Sequence, residues 1–273
     1  MLNYKALYGY VKERLQKGKY TYVFLDEVQN CKDYEKAVDS LYIKPNVDVY
    51  ITGSNACMLS GELATLISER YITIEMLPLS FKEYCVAQEG NGKSLRENFN
   101  EYLRFGSFPY IAQLDHNDAA VTPFIDGIYN TILVKDVAKR EGITDIALLE
   151  SIVRFVADSI GSPISTKKIS DTINSSGRRI SVNTVDNYLR ALTDSYILYK
   201  ADRYDIKGRQ LLKTLGKYYI VDTGIRNMLL SSSESDIGHL IENIVFLELQ
   251  RRGYKVNIGK MLESEIDSVA SVH

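Results

Sequence analysis

Two adjacent carboxylates, Asp26 and Glu27, close a run of five β-prone residues from Thr21 to Leu25. A buried strand that delivers acids at its C-terminal end is how nucleotide-hydrolysing α/β proteins hold Mg²⁺ and activate water. In that chemistry Asp26 holds the ion through its waters, because Mg²⁺ keeps much of its hydration shell. Glu27, one residue on, polarises a water against a γ-phosphate. Mg²⁺ and a nucleotide are what that chemistry would require. The plainer reading is an exposed strand end, which an apolar run followed by Asp-Glu also describes. A second polar cluster bears on the choice. Residues 47–52 form another β-rich run and end in Thr52-Gly53-Ser54-Asn55. At the same sheet edge Ser54 and Asn55 could sense a γ-phosphate or orient the attacking water; a strand-to-helix turn with an N-cap is the alternative. Arg70, between a helical pattern at 60–69 and a β-like run at 71–76, is placed to reach a neighbouring copy's γ-phosphate in a homo-oligomer. It also suits a helix C-terminus, where the dipole favours a cation.

The elements that must position these groups are readable from periodicity. Residues 2–17 form an amphipathic helix with Leu7, Tyr8, Val11 and Leu15 on one face. Ala37, Val38, Leu41 and Tyr42 mark a helix between the two strands, giving a strand–helix–strand unit with parallel neighbours and a right-handed crossover. Residues 95–140 are helical, with Leu103, Phe105, Ile111, Ile128, Ile132 and Val134 inward. Helices then follow over 145–160, from the Ser165 cap, and from the Ser181 cap, with β-like runs at 196–204 and 217–222. Three helices and a β-hairpin spell a winged helix-turn-helix.

Residues 161–220 hold 11 Lys/Arg against 5 Asp/Glu, a local +6 in a chain of −2, so the remainder carries −8. Duplex DNA is the partner this implies, with Lys167, Lys168, Arg178, Arg179, Lys207 and Arg209 on phosphates and Asn183, Thr184 and Asn187 facing a groove. A protein partner docking on a winged helix with solvated lysines is the other reading. The whole-chain charge advertises no membrane or nucleic-acid field. Three dispersed cysteines exclude a disulfide framework and suit a reducing cytoplasm, and three isolated histidines argue against zinc. No apolar run reaches membrane-spanning length.

Several segments together resemble the prokaryotic AAA+-type ATPases that carry a C-terminal domain of unknown function. They are Leu25-Asp-Glu-Val-Gln-Asn30, Tyr50-Ile-Thr-Gly-Ser-Asn-Ala56, Leu59-Ser-Gly-Glu-Leu-Ala-Thr-Leu66 and Leu77-Pro-Leu-Ser-Phe-Lys-Glu-Tyr84. Phe105-Gly-Ser-Phe-Pro109, Val221-Asp-Thr-Gly-Ile-Arg226, Glu242-Asn-Ile-Val-Phe-Leu-Glu-Leu249 and Glu265-Ile-Asp267 extend the likeness over nearly the whole chain. The family's Gly-x-x-x-x-Gly-Lys-Ser/Thr phosphate loop occurs nowhere; Gly90-Asn-Gly92-Lys93-Ser94 is a surface-loop imitation with no buried strand before it.

The resemblance implies an α/β fold, a partial P-loop ATPase parallel sheet truncated ahead of its Walker A strand. Four segments are expected: an ATPase core (1–80), a helical lid (81–142), a winged helix (143–225) and an incomplete restriction-endonuclease-like segment (226–273). A helix carrying Glu242 and Glu248, followed by Glu265-Ile-Asp267, resembles the start of that last fold, a helix acid and then a strand acid, whose later Glu-x-Lys is missing, and Ser268 stands where the family tends to have an aromatic residue. The implied function is ATP binding and hydrolysis with the Walker B and sensor part retained, weakened by the missing loop. A winged-helix DNA- or protein-binding adaptor without catalysis is the alternative.

Overall fold

In the computed structural model, which describes residues 3–53, 70–205, 210–230, 237–261 and 264–272, the chain divides into two compact units, 1–75 and 76–273. The first is a strand–helix–strand unit. Leu7 and Val11, four residues apart, form the buried stripe of helix α1 (Tyr4–Lys12), whose N-cap Asn3 accepts from the Ala6 N–H. Strand β1 (Thr21–Leu25), helix α2 (Tyr34–Tyr42) and strand β2 (Val47–Ile51) follow. The strands pair in parallel without a slip, from Thr21 opposite Val47 to Leu25 opposite Ile51. Period-two alternation sends Val23, Val47, Val49 and Ile51 towards the Leu7, Val11, Ala37, Val38 and Leu41 cluster. Tyr22, Phe24 and Tyr50 take the other face, with Phe24 and Tyr50 stacked at 4.8 Å.

The expected strand at 71–76 joins no ladder, and Ile72, Ile74 and Met76 are exposed. A strand needs a partner's edge, and among the described residues β1 and β2 are the whole of this sheet. The expected helix at 60–69 lies outside the described residues.

The second unit begins with helices α3 (Phe81–Ala87) and α4 (Leu95–Phe105), each opened by a reciprocal capping box, Ser80 with Glu83 and Ser94 with Glu97. Helix α5 (Asp118–Thr131) runs into a π-helical stretch, Ile132–Ala138. Helices α6 (Ile146–Asp158), α7 (Thr166–Ser175) and α8 (Val182–Asp194) then precede the antiparallel pair β3 (Leu198–Asp205) and β4 (Gln210–Ile220). Helices α9 (Thr223–Leu229) and α10 (Ile237–Arg251) lead to β5 (Tyr254–Met261) and β6 (Ser264–Val272).

The β3–β4 hairpin is not a free-standing wing. Residues 203–205 of β3 pair in parallel with 258–260 of β5, giving one sheet of order β4-β3-β5-β6. The expected segment borders at 142 and 225 therefore fall inside a single unit whose apolar core runs from Phe105 through Ile152, Leu192 and Tyr219 to Ile258. The division nearest the expected border at 80 lies between Glu75 and Met76.

One tie closes this unit over a long stretch of chain. Asp222, N-cap of α9, is buried and accepts from the Ser107 N–H (2.6 Å) and hydroxyl (3.0 Å) as well as from the Gly224 (2.8 Å) and Ile225 (3.3 Å) N–H groups. Burial pushes its carboxyl up, and these four donors oppose that. Gly106 has φ +85°, and a Cβ there would sit 2.0 Å from Asp222 Oδ1. Gly106→Ala is therefore expected to cost about 3 kcal/mol or more. Gly9→Ala, in the open interior of α1, should instead stabilise by about 0.5–1 kcal/mol. Urea unfolding of both variants checks the opposite signs.

A second network supplies a pH signature. Glu101 accepts from Lys93 Nζ (2.6 Å) and lies 2.6 Å from Nδ1 of buried His116. Burial raises the Glu101 carboxyl, but the Lys93 and His116 bonds outweigh it and hold the group below its ordinary 4.5. Because the folded value is depressed, this contribution is complete above the unfolded value and is lost as pH falls through the folded one. The Tm gap between wild type and Glu101→Gln should thus be full near pH 6 and shrink as pH falls towards about 3.

Candidate active site

Register dictates the site. Leu25 stands opposite Ile51, so the next residues out of the parallel pair, Asp26 and Thr52, meet at one sheet edge. The Thr52 hydroxyl donates to Asp26 Oδ1 (2.5 Å) and accepts from the Glu27 N–H (3.1 Å). Backbone bonds continue the zip: Thr52 N–H donates to Leu25 O (2.9 Å) and Val28 N–H to Thr52 O (3.2 Å). One threonine therefore holds both the first acid's side chain and the second acid's backbone.

Glu27 has a left-handed backbone, φ 49° and ψ 46°, an unfavourable region for a residue with a Cβ outside Asn and Asp. The turn lets the chain leave the strand immediately into the 3₁₀ turn Val28–Asn30. Gln29 Nε2 donates to Glu27 Oε2 at 2.6 Å, which fixes one carboxylate oxygen. The site is exposed, and the second oxygen of each acid, Asp26 Oδ2 and Glu27 Oε1, has no protein bond among the described residues. Hard oxygen donors facing water fit a hydrated Mg²⁺. No group of three His, Cys, Asp or Glu side chains among the described residues could enclose a metal by itself.

Thr52 and Gln29 hold the two acids in place, and the pattern of acids did not single them out. The signal was present in the spacing, since equal in-register strands put position 52 beside position 26. Ser54 and Asn55 lie outside the described residues. Arg70 is exposed, with its guanidinium carbon 6.0 Å from the Tyr42 ring centroid and no bond to either acid.

The basic residues expected on the three-helix segment emerge at the surface. Lys167, Lys168, Arg178, Arg179, Asn183 and Asn187 are exposed, Thr184 is half-buried, and Lys207 and Arg209 fall outside the described residues. Glu242 and Asp267 do come together, but around a cation from β4. Buried Lys217 Nζ lies 3.0 Å from Glu242 Oε1 and 2.9 Å from Asp267 Oδ1, while the Tyr219 hydroxyl donates to Glu242 (2.8 Å).

Comparison with known proteins fixes the relationships. Residues 96–236, more than half of the chain, match the sequence model of the Domain of unknown function (DUF8612). The chain belongs to that family. Residues 2–85 match the model of the AAA domain, so an AAA-type, ATPase-like segment precedes the DUF8612 region. An uncharacterized protein of Haemophilus influenzae is 40% identical over 251 residues, which cover 91% of this chain and 62% of that protein. An uncharacterized protein of Methanocaldococcus jannaschii is 31% identical over 247 residues, covering 86% and 54%. The chain thus spans less than two thirds of the length of either relative. No helix among the described residues is long and apolar enough to cross a membrane.

Thr52→Val keeps the shape of the side chain and removes both of its bonds. We expect a loss of about 1 kcal/mol and faster amide exchange at Glu27 and Val28, with Thr52→Ser restoring protection; hydrogen-exchange mass spectrometry of the 21–30 stretch checks both.

Proposed function

We propose that this DUF8612 member carries the metal-and-water half of an AAA-type nucleotide-hydrolysing site. The observation that carries the reading is the threonine clamp, which orients Asp26 and Glu27 together at the end of parallel strands. An exposed strand end without a task needs no such clamp. The match of residues 2–85 to the AAA domain supports the same reading.

In it, Asp26 would hold a hydrated Mg²⁺ through Oδ2, the oxygen left free while Oδ1 stays with Thr52. Magnesium, when bound, neutralises charge on the phosphate oxygens. The Glu27 carboxylate takes the proton of the attacking water through Oε1, with Gln29 keeping the other oxygen in place. Ser54 and Asn55 sense the γ-phosphate, and Arg70 of a second copy of the chain completes the site. The backbone cradle and lysine of a phosphate-binding loop are not among these 273 residues. Binding of Mg·ATP by the chain itself is accordingly expected to be weak. The setting that fits three dispersed cysteines is a reducing cytoplasm.

Calorimetric titration of Mg·ATP into the folded chain tests the assignment. Asp26→Asn should weaken Mg²⁺-dependent binding on the order of tenfold, about 1.4 kcal/mol. Glu27→Gln should leave binding intact and abolish whatever turnover is present. Titrations identical across wild type and both variants would remove the reading.

A further inference from the structure

The nucleotide reading uses nothing beyond the first unit, and the basic segment of the second unit remains unexplained by it. Between Ser165 and Arg190 the chain has five Lys/Arg and two acids, Asp171 and Asp186. Lys167, Lys168, Arg178 and Arg179 are all exposed, and none takes part in an ion pair among the described residues. Fold stability does not account for them. Lys167 and Lys168 stand in the first turn of α7, where the helix dipole disfavours a cation, and that turn contains no acid.

The second pair sits on a turn that is held rigid. Asn174 Oδ1 accepts from the Ile180 N–H (2.8 Å) and its Nδ2 donates to Ile180 O (3.1 Å); the buried Ser170 hydroxyl donates to that same carbonyl (3.0 Å). This two-point clamp fixes the residues that follow α7 and so pre-places Arg178 and Arg179. A solvated pair of arginines gains nothing from such a clamp, whereas a binding surface saves ordering entropy.

Spacing narrows the partner. Seven helical residues, 169–175, at 1.5 Å each put the two cation pairs on the order of 10 Å apart along α7. That is near the roughly 12 Å width of the major groove, whose walls are two phosphate backbones. Helix α8 begins directly after the second pair, and its exposed stripe carries Asn183, Asn187 and Arg190, with the Arg190 guanidinium donating to Asn187 Oδ1 (3.3 Å). Amide and guanidinium groups are the donors and acceptors that read base edges. We infer that α7, the clamped turn and α8 form a surface for duplex DNA, with Lys167/Lys168 and Arg178/Arg179 gripping opposite phosphate backbones.

Fluorescence anisotropy of the full chain with a labelled mixed-sequence duplex of about 20 base pairs tests this. Binding should be micromolar or tighter near 50 mM salt and should weaken about 100-fold by 200 mM, as release of roughly four counterions requires. Lys167→Ala/Lys168→Ala and Arg178→Ala/Arg179→Ala should each lower the salt slope by about two, and the quadruple variant should abolish most of it. Lys5→Ala/Lys12→Ala/Lys17→Ala, in the other unit, should leave binding unchanged, and circular dichroism should match wild type throughout. Absence of salt-dependent duplex binding, or a slope that survives the quadruple variant, would overturn the inference and leave this face to a protein partner.

Discussion

The larger unit depends on one buried carboxylate. Asp222 spends its acceptor capacity on four donors, two of them on Ser107, 115 residues away in sequence. A carboxylate without water is expensive to bury, and only a full set of hydrogen bonds makes it tolerable. That requirement dictates its neighbours. Gly106 and Gly224 are glycines because a Cβ at either would collide, at 2.0 Å with Asp222 Oδ1 in one case and 2.3 Å with Phe105 O in the other.

The short helix that Asp222 caps is the hub of the same unit. Thr223 donates to Tyr102 O, and Asn227 Nδ2 reaches Leu103 O and Arg104 O, so the carbonyls at the end of α4 are capped from across the molecule. Buried Arg226 donates through Nε to Ala157 O near the end of α6. The region matched by the DUF8612 family, 96–236, therefore contains both halves of this tie. Polar atoms fix which helices meet, and the apolar core around them supplies the bulk of the burial energy.

The two units treat acids in opposite ways. Asp26 and Glu27 each keep one oxygen bound and, among the described residues, one without a protein partner. Glu242 and Asp267 instead share a lysine whose side chain is 2% exposed. Removing that cation would leave Glu242 without its charge partner at a largely buried position, so the ammonium is structural. A pair of carboxylates at suggestive spacing is thus left open to water in one place and tied into an ion pair in the other; the cation that makes the difference comes from a different strand.

Periodicity alone determined a good deal here. The apolar stripes at Leu7/Val11, Ala37/Val38/Leu41 and Leu148/Leu149/Ile152/Val156 became helices, and the runs ending at Leu25 and Ile51 became parallel strands, because burying one face is a local pattern. Capping residues such as Ser165 and Ser181 were equally legible, since an N-cap acts within three residues. Asp26 and Glu27 stood out by type and place, as adjacent carboxylates at the end of a β-prone run. What tertiary structure decided are the contacts across long sequence separation: Thr52 on Asp26, Lys217 between Glu242 and Asp267, Asp222 on Ser107, and the pairing of β3 with β5 that merges the hairpin with the C-terminal strands. No local propensity encodes those partners. A strand's second edge and a buried charge's counter-ion are chosen only when the whole chain has packed, and for the same reason residues 71–76, β-like in pattern, remain without a ladder.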